Sequence, residues 1–153
     1  MILKEGQVAP KFKADGANGE TVSLSDFRGS KVVLYFYPKD DTPGCTKEAG
    51  SFRDEFQKLK RAGIKVIGVS PDSPRSHEKF TSKYQLPFTL ISDPDHSVAD
   101  AYGSYGEKKF MGRTYQGFLR NTFLIDETGR IKKIFEKVKP EAHALEVLAA
   151  FKD

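Results

Sequence analysis

Apolar and polar positions change their period along this chain, and the changes predict alternating strands and helices. A continuous apolar and aromatic run fills residues 31–37, as is typical of a central strand covered on both faces. From Cys45 the apolar residues recur at three- and four-residue steps, which predicts an amphipathic helix that ends at Gly63. The buried stripe of that helix is expected to comprise Ala49, Phe52, Phe56 and Leu59.

The pattern of apolar and polar positions also predicts elements before and after this strand and helix. It predicts a hairpin over residues 12–24, with Gly-Ala-Asn-Gly at 16–19 as the turn. Ser73 as N-cap and Pro74 as the first helical residue indicate another helix start. Further strands are predicted over residues 64–70 and 88–92, and a short helix over residues 95–102.

The C-terminal third is predicted to hold a loop, a hairpin and a helix. The loop covers residues 103–117, which are rich in Gly, Lys and Tyr. The hairpin joins strands at 118–125 and 131–138, and the closing helix spans 140–151. The residues of that helix expected to face inward are Ala144, Leu145, Leu148 and Phe151.

These elements predict an α/β fold. The early strand–helix–strand unit favours a right-handed parallel crossover, while the late hairpin adds antiparallel strands. We therefore expect a mixed central β-sheet flanked by helices, with an N-terminal β-hairpin. A chain of 153 residues is expected to form a single domain, 1–153.

Composition excludes several classes of function. Hydrophobic content is 38%, charged content is 30%, and the net charge of +4 is spread over the chain. The densest basic cluster accompanies no nucleic-acid motif, so we interpret it as a solvated face; it comprises Lys132, Lys133, Lys137 and Lys139. No run approaches the ~20 apolar residues that span a bilayer, so we expect neither nucleic-acid nor membrane binding.

Cys45 is the only cysteine, which excludes an internal disulfide and is consistent with a reducing cytoplasm. It follows the central strand, at the start of the predicted helix. Helix starts present unpaired N–H groups and the positive end of the helix dipole, and both stabilise an anion. Ligand sites in open α/β sheets also lie beyond the carboxyl ends of strands. Cys45 is therefore either a thiolate nucleophile or, more plainly, a small buried hydrophobe.

Three other residues also have two interpretations each. Thr42 is suited to cap the helix or to aim its hydroxyl at a substrate oxygen. Pro38 either ends the strand or shields the thiol from water. Arg120 interrupts an apolar run that otherwise predicts a strand, and it either faces solvent at a sheet edge or holds its guanidinium against Cys45.

The free energy needed to lower a thiol pKa favours a cation near the thiol. Lowering a thiol pKa from ~8.5 to ~6 requires ~3.4 kcal/mol, whereas a helix terminus supplies only ~0.3–2 kcal/mol. Because nucleophilicity falls with the pKa, the net gain in rate at pH 7 is only about threefold. A fast enzyme would therefore stabilise mainly the transition state. The candidate donors are the Thr42 hydroxyl, the N–H groups of Gly44 and Cys45, and Arg120.

The spacing Pro-x-x-x-Thr-x-x-Cys at 38–45, followed by Thr-x-Glu-Ala at 46–49, resembles the active-site signature of the peroxiredoxins. Together with the runs at 105–109 and 120–126, it is similar to the bacterioferritin comigratory protein subfamily, also called peroxiredoxin Q. The resemblance implies a thioredoxin-like fold and a thiol peroxidase that needs no metal or other cofactor.

Residue roles follow from the matching positions. The resemblance implies that Cys45 attacks a hydroperoxide and becomes a sulfenic acid, while Thr42, Arg120 and the backbone at Gly44 bind the peroxide. The resemblance also implies that Pro38 shields the thiol from water.

The chain departs from the subfamily at Gly50. Many members carry a resolving cysteine five residues after the first or on a later helix, and this chain has neither. The expected partner is therefore an external thiol reductant, either glutaredoxin with glutathione or thioredoxin. The alternative is Cys45 of a second subunit, which is geometrically awkward because a thiol at a helix start is poorly placed for its twin. A monomer is expected, with a weak dimer as the alternative.

Three other functions compete with this one. A thiol–disulfide oxidoreductase would use Cys-x-x-Cys, but Thr42 occupies the first position. A non-catalytic redox-sensing or chaperone module would not need Thr42, Cys45 and Arg120 together. A metal site would draw on Cys45 and the three histidines, which lack motif spacing and are expected at surfaces or caps; they are His77, His96 and His143.

Overall fold

The computed structural model describes residues 3–140 and 143–152. Nine strands occur in these residues: β1 Lys13–Gly16, β2 Thr21–Ser23, β3 Lys31–Phe36, β4 Ile64–Ser70, β5 Thr89–Ser92, β6 Tyr105–Phe110, β7 Arg113–Phe118, β8 Thr122–Ile125 and β9 Ile131–Phe135. The helices are α1 Pro43–Asp54, α2 Phe56–Arg61, α3 Pro74–Tyr84, α4 Ser97–Ala101 and α5 His143–Lys152, with a 3-10 turn at Leu24–Phe27.

Seven of the strands form one mixed sheet in the order β2-β1-β5-β4-β3-β8-β9. Strand β3 is an interior strand of this sheet, parallel to β4 and antiparallel to β8. Its side chains alternate between two apolar clusters, with Val33 and Tyr35 in one and Val32, Leu34 and Phe36 in the other. This alternation confirms the prediction of a central strand covered on both faces.

The helix after β3 begins two residues before Cys45, at Pro43. It is interrupted at Glu55, so the predicted stripe runs over α1 and α2, and Phe56 is only half-buried. Gly63 has φ of +75°, which suits its predicted role as the stop. Ser73 caps α3 by accepting a hydrogen bond from the Ser76 N–H, as predicted.

The predicted loop at 103–117 is wrong, because β6 and β7 pair there as an antiparallel hairpin. Its turn places Met111 and Gly112 at φ of +50° and +79°, the left-handed values that two-residue hairpin turns require. Most of its side chains are exposed, so the apolar alternation that indicates a strand is absent.

Two further expectations are wrong. Residues 118–125 do not form one strand, because β7 ends at Phe118 and β8 begins at Thr122, and Arg120 lies in the connection between them. Leu145 does not face inward and is 48% exposed, since the buried face of α5 carries Val147 and Ala150 instead. Residues 141 and 142 of the predicted closing helix lie outside the described residues. Among the described helices, none has the length and hydropathy needed to cross a bilayer.

Candidate active site

Cys45 is the third residue of α1, directly beyond the carboxyl end of β3. Its Sγ accepts a hydrogen bond from Nη2 of Arg120 at 3.2 Å. The residue is 1% exposed and belongs to one of the two apolar clusters. The sulfur is therefore buried, and the guanidinium of Arg120 contacts it, as one of the two interpretations of Arg120 predicts.

Arg120 reaches the sulfur because its backbone is fixed beside β3. Its carbonyl oxygen accepts from the Val138 N–H at 2.8 Å, and the adjacent Asn121 carbonyl accepts from the Phe36 N–H at 2.9 Å. The guanidinium then lies over the start of α1. A Cβ at Gly44 would lie 3.2 Å from Nη2, so the absence of a side chain at Gly44 leaves room for the guanidinium.

Glu48 is the second acidic partner of Arg120. Its Oε1 accepts from Nη1 at 2.8 Å, while Oε2 has no hydrogen-bond partner among the described residues. Complete burial raises the pKa of Glu48 to about 7, and the charge of Arg120 opposes that rise. For Arg120 itself, burial acts to lower the pKa, but the negative charges of Cys45 and Glu48 outweigh it and the pKa is raised.

Sequence reasoning assigns no role to Glu48. The signal available is its position three residues after Cys45, which puts both residues on the same face of a helix whose other buried positions are apolar. A carboxylate on a buried helix face requires a partner.

Thr42 is the N-cap residue of α1, but its side chain does not cap the helix. Its Oγ1 donates instead to the Lys39 carbonyl oxygen at 2.9 Å. The N–H groups of Gly44 and Cys45 are then left without intrahelical partners, as first-turn N–H groups are when no side chain caps them. The Thr42 oxygen keeps its capacity to accept a hydrogen bond.

Pro38 is half-buried and forms part of the wall of a cavity of about 310 Å³. The opposite wall comes from the β6–β7 hairpin, through residues that include Lys108 and Tyr115. Lys108 is partly buried, and its Nζ donates to the Phe118 carbonyl oxygen at 2.8 Å. Burial and the nearby Arg120 lower the pKa of Lys108, while Cys45 acts in the opposite direction. Sequence reasoning misses this second cation because it assigns the segment to a loop.

The loop between β3 and α1 is attached to α3 through two adjacent carboxylates. Asp40 is buried and accepts hydrogen bonds from the Tyr37 and Ser76 hydroxyls and from Nδ1 of His77. Asp41 is exposed and accepts from Lys83 and Tyr84. These two residues therefore connect the loop to a helix.

Two of the three histidines are not at the predicted surface or cap positions. His77 and His143 are fully buried, the first between Asp40 and the Ile91 carbonyl and the second beside the Thr122 hydroxyl. His96 is at the start of α4 and pairs with Asp100. Within residues 3–140 and 143–152, no three His, Cys, Asp or Glu side chains are grouped so as to hold a metal ion.

Comparison with known proteins gives the family. Residues 6–134 match the AhpC/TSA family. A putative peroxiredoxin bcp of Coxiella burnetii is 51% identical over 148 residues, which cover 97% of this chain and 98% of that protein. The chain belongs to the AhpC/TSA family, in its Bcp and PrxQ branch. The peroxiredoxin Bcp of Bacillus subtilis is 48% identical, covering 100% of this peroxiredoxin and 98% of the relative.

The fold agrees with this assignment. The crystal structure of a PrxQ mutant from Xylella fastidiosa matches with a TM-score of 0.92 at 33% identity, covering 99% of this chain and 97% of that one. The predicted thioredoxin-like fold is thereby confirmed. As a peroxiredoxin, the protein is a thiol peroxidase, an enzyme that takes a hydroperoxide as substrate and a thiol as reductant.

Proposed function

We propose that Cys45 is the nucleophile of this thiol peroxidase and that Arg120 holds it in its reactive state. The observation that carries the proposal is the 3.2 Å hydrogen bond from Nη2 of Arg120 to Sγ of Cys45. A hydrogen bond from a cation stabilises a thiolate more than a neutral thiol. The two residues are 75 positions apart in the sequence, so the contact depends on the folded sheet.

In the proposed reaction, the thiolate attacks the terminal oxygen of the hydroperoxide. An S–O bond forms while the O–O bond breaks, and the electron pair of the O–O bond leaves with the alkoxide or hydroxide. The leaving group takes a proton from solvent and departs as an alcohol or water. Cys45 is oxidised by two electrons to a sulfenic acid, and the peroxide is reduced by two.

Thr42, Gly44 and Arg120 bind the peroxide in this proposal. Because the Thr42 hydroxyl donates to Lys39, its oxygen acts as an acceptor for the O–H of the peroxide. The N–H groups of Gly44 and Cys45, together with Arg120, then stabilise charge on the breaking O–O bond, as oxyanion-hole donors do. Pro38 covers the loop beside the sulfur and limits the access of water.

We further propose that an external thiol recycles the enzyme, because Gly50 occupies the resolving position and no second cysteine exists. The first reductant thiolate displaces hydroxide from the sulfenic sulfur and forms a mixed disulfide. A second thiol releases Cys45 and leaves the reductant as a disulfide. Glutaredoxin with glutathione, or thioredoxin, supplies these thiols in the reducing cytoplasm, where we place the enzyme as a monomer.

Intact-mass analysis tests the nucleophile. One equivalent of hydrogen peroxide is expected to add a single oxygen to the wild type and none to Cys45→Ser, and an unmodified wild type under excess peroxide would contradict the proposal. An NADPH-coupled assay with each reductant system in turn then tests the recycling step. Turnover that requires neither a thiol protein nor glutathione would contradict that part.

A further inference from the structure

Lys108 is a partly buried cation without a carboxylate partner. Its Nζ donates to the Phe118 carbonyl, and none of the ion pairs among the described residues includes it. A lysine ammonium has three N–H donors, so two remain for another acceptor. Burial and Arg120 both lower the pKa of Lys108, and Cys45, which acts in the opposite direction, offsets them only in part. An anion bound beside it would supply the missing compensation.

The cavity next to Lys108 has walls suited to an organic molecule. Its volume of about 310 Å³ is at the small end of the range for ligand sites, about 300–1,000 Å³. Proline and aromatic side chains provide most of the walls, namely Pro38, Pro71, Pro94, Tyr105, Tyr115 and Phe118. The ring of His96, also in the wall, stacks on Tyr105 with centroids 3.8 Å apart. Flat apolar faces with one cation suit an apolar body that carries one negative charge.

Two features connect this cavity to the proposed reaction centre. Pro38 belongs both to its wall and to the loop that leads into α1 and Cys45. The ammonium of Lys108 lies close enough to Arg120 and Cys45 for their charges to act on it. A hydroperoxide whose reactive oxygen lies at Cys45 would therefore extend its substituent toward the β6–β7 hairpin.

We propose that this cavity binds the organic part of a hydroperoxide that carries a carboxylate, and that Lys108 pairs with the carboxylate. The inference rests on the proposed function, since it names the substrate class of the same site. The competing explanation is that Lys108 only adds positive potential at the thiolate. In that case its loss would slow every peroxide to the same extent.

Three peroxides separate these explanations: hydrogen peroxide, cumene hydroperoxide and the para-carboxylate derivative of cumene hydroperoxide. The variant is Lys108→Met, which keeps most of the side-chain length, and the control is the exposed neighbour Lys109→Met. In Lys108→Met we expect kcat/KM for the carboxylate to fall about three- to tenfold further than kcat/KM for the other two peroxides. Lys109→Met is expected to leave kcat/KM unchanged for all three peroxides. Equal losses for the three peroxides, or no loss, would overturn the proposal.

A binding measurement keeps the inference separate from catalysis. In Cys45→Ser, the inert alcohol product of the carboxylate substrate is expected to bind, and adding Lys108→Met is expected to weaken it about three- to tenfold. Tyr115→Ala should weaken both this alcohol and its uncharged counterpart, because it removes a wall of the cavity. Affinities that are independent of the carboxylate would refute the inference. Absence of hydrogen peroxide consumption by the wild type would instead refute the proposed function.

Discussion

Arg120 is shared between two acidic groups, with one nitrogen on Cys45 and the other on Glu48. If its main role is in the transition state, Arg120→Ala should lower the rate with hydrogen peroxide by about 10²–10³, the usual cost of an oxyanion-hole donor. The thiolate content at pH 7 should change much less, because the N–H groups and the dipole at the start of α1 still stabilise the anion in the variant. Stopped-flow kinetics and thiolate absorbance measure the two quantities.

The control for this comparison is Arg113→Ala, which removes an exposed arginine at the start of β7. It should change neither quantity. Comparable losses of rate and of thiolate in Arg120→Ala would contradict the claim that transition-state stabilisation dominates.

Glu48 makes stability depend on pH near neutrality. Burial raises its pKa from 4.5 to about 7, so the folded state favours the protonated form. The stabilisation of the folded state that comes from protonated Glu48 is fully present below about pH 4.5 and is lost as the pH rises through 7. Because glutamine cannot ionise, the unfolding free energy of Glu48→Gln relative to wild type should rise between pH 5 and pH 8, by up to about 3 kcal/mol.

Urea unfolding at the two pH values measures this difference. Glu107→Gln, at an exposed position of β6, is the matched control and should show no such change. A difference between Glu48→Gln and wild type that stays constant from pH 5 to pH 8 would show that Glu48 does not titrate in this range.

At the residue scale, the sequence is sufficient to select Cys45, Thr42 and Arg120, because their types and spacing are unusual for the elements that hold them. It does not assign roles to Glu48 or Lys108. Their chemistry depends on how α1, β6 and the segment around Arg120 lie together, and no local pattern encodes that arrangement.

At the scale of elements, the loop before α1 is fixed by a buried polar contact with α3. The Nδ1 and Nε2 atoms of His77 face the Asp40 carboxylate at 2.7 Å and the Ile91 carbonyl at 2.9 Å. Asp40→Ala or His77→Leu alone should therefore cost about 1–3 kcal/mol, since each leaves a buried polar group without its partner.

The double variant Asp40→Ala/His77→Leu should cost less than the sum of the two single variants, by about 1–3 kcal/mol in a double-mutant cycle from urea unfolding. The surface pair of His96 and Asp100 is the control, with an expected coupling below about 1 kcal/mol. Strictly additive effects of Asp40 and His77 would contradict a direct coupling between the two side chains.

The elements that the sequence predicts best are those with one or two buried faces. Strands β3 and β4 follow their apolar runs closely, since burial imposes them, whereas the start of α3 is indicated by Ser73 and Pro74. The hairpin of β6 and β7 escapes prediction because most of its side chains are exposed and only the turn at Met111 and Gly112 indicates it. The element that lines the proposed substrate cavity is therefore the one with the weakest sequence pattern.

At the scale of the whole molecule, one sheet separates two apolar clusters, and β3 contributes to both. Because neither cluster closes without the sheet, we propose that residues 1–153 fold as one domain. The α/β class and the mixed sheet are predictable, since the order of periods along the chain determines them. The interruption between β7 and β8 is not predictable, because the apolar residues 118–119 and 123–125 on the two sides of it are equally typical of one continuous strand.

The burial of Cys45 within the whole molecule determines what oxidation can produce. Because the residue is 1% exposed and is the only cysteine, two sulfurs from separate molecules cannot meet unless the start of α1 opens in both, whereas the thiol of a reductant requires opening in one molecule only. Oxidation with one equivalent of peroxide in the absence of other thiols should therefore give a monomer with one added oxygen and almost no disulfide-linked dimer. Non-reducing mass analysis distinguishes these products, and added glutathione should convert the sulfenic acid to a mixed disulfide. A dominant Cys45–Cys45 dimer would mean that the helix start opens readily, and the thiol of a second subunit would then form the disulfide that the external thiol reduces.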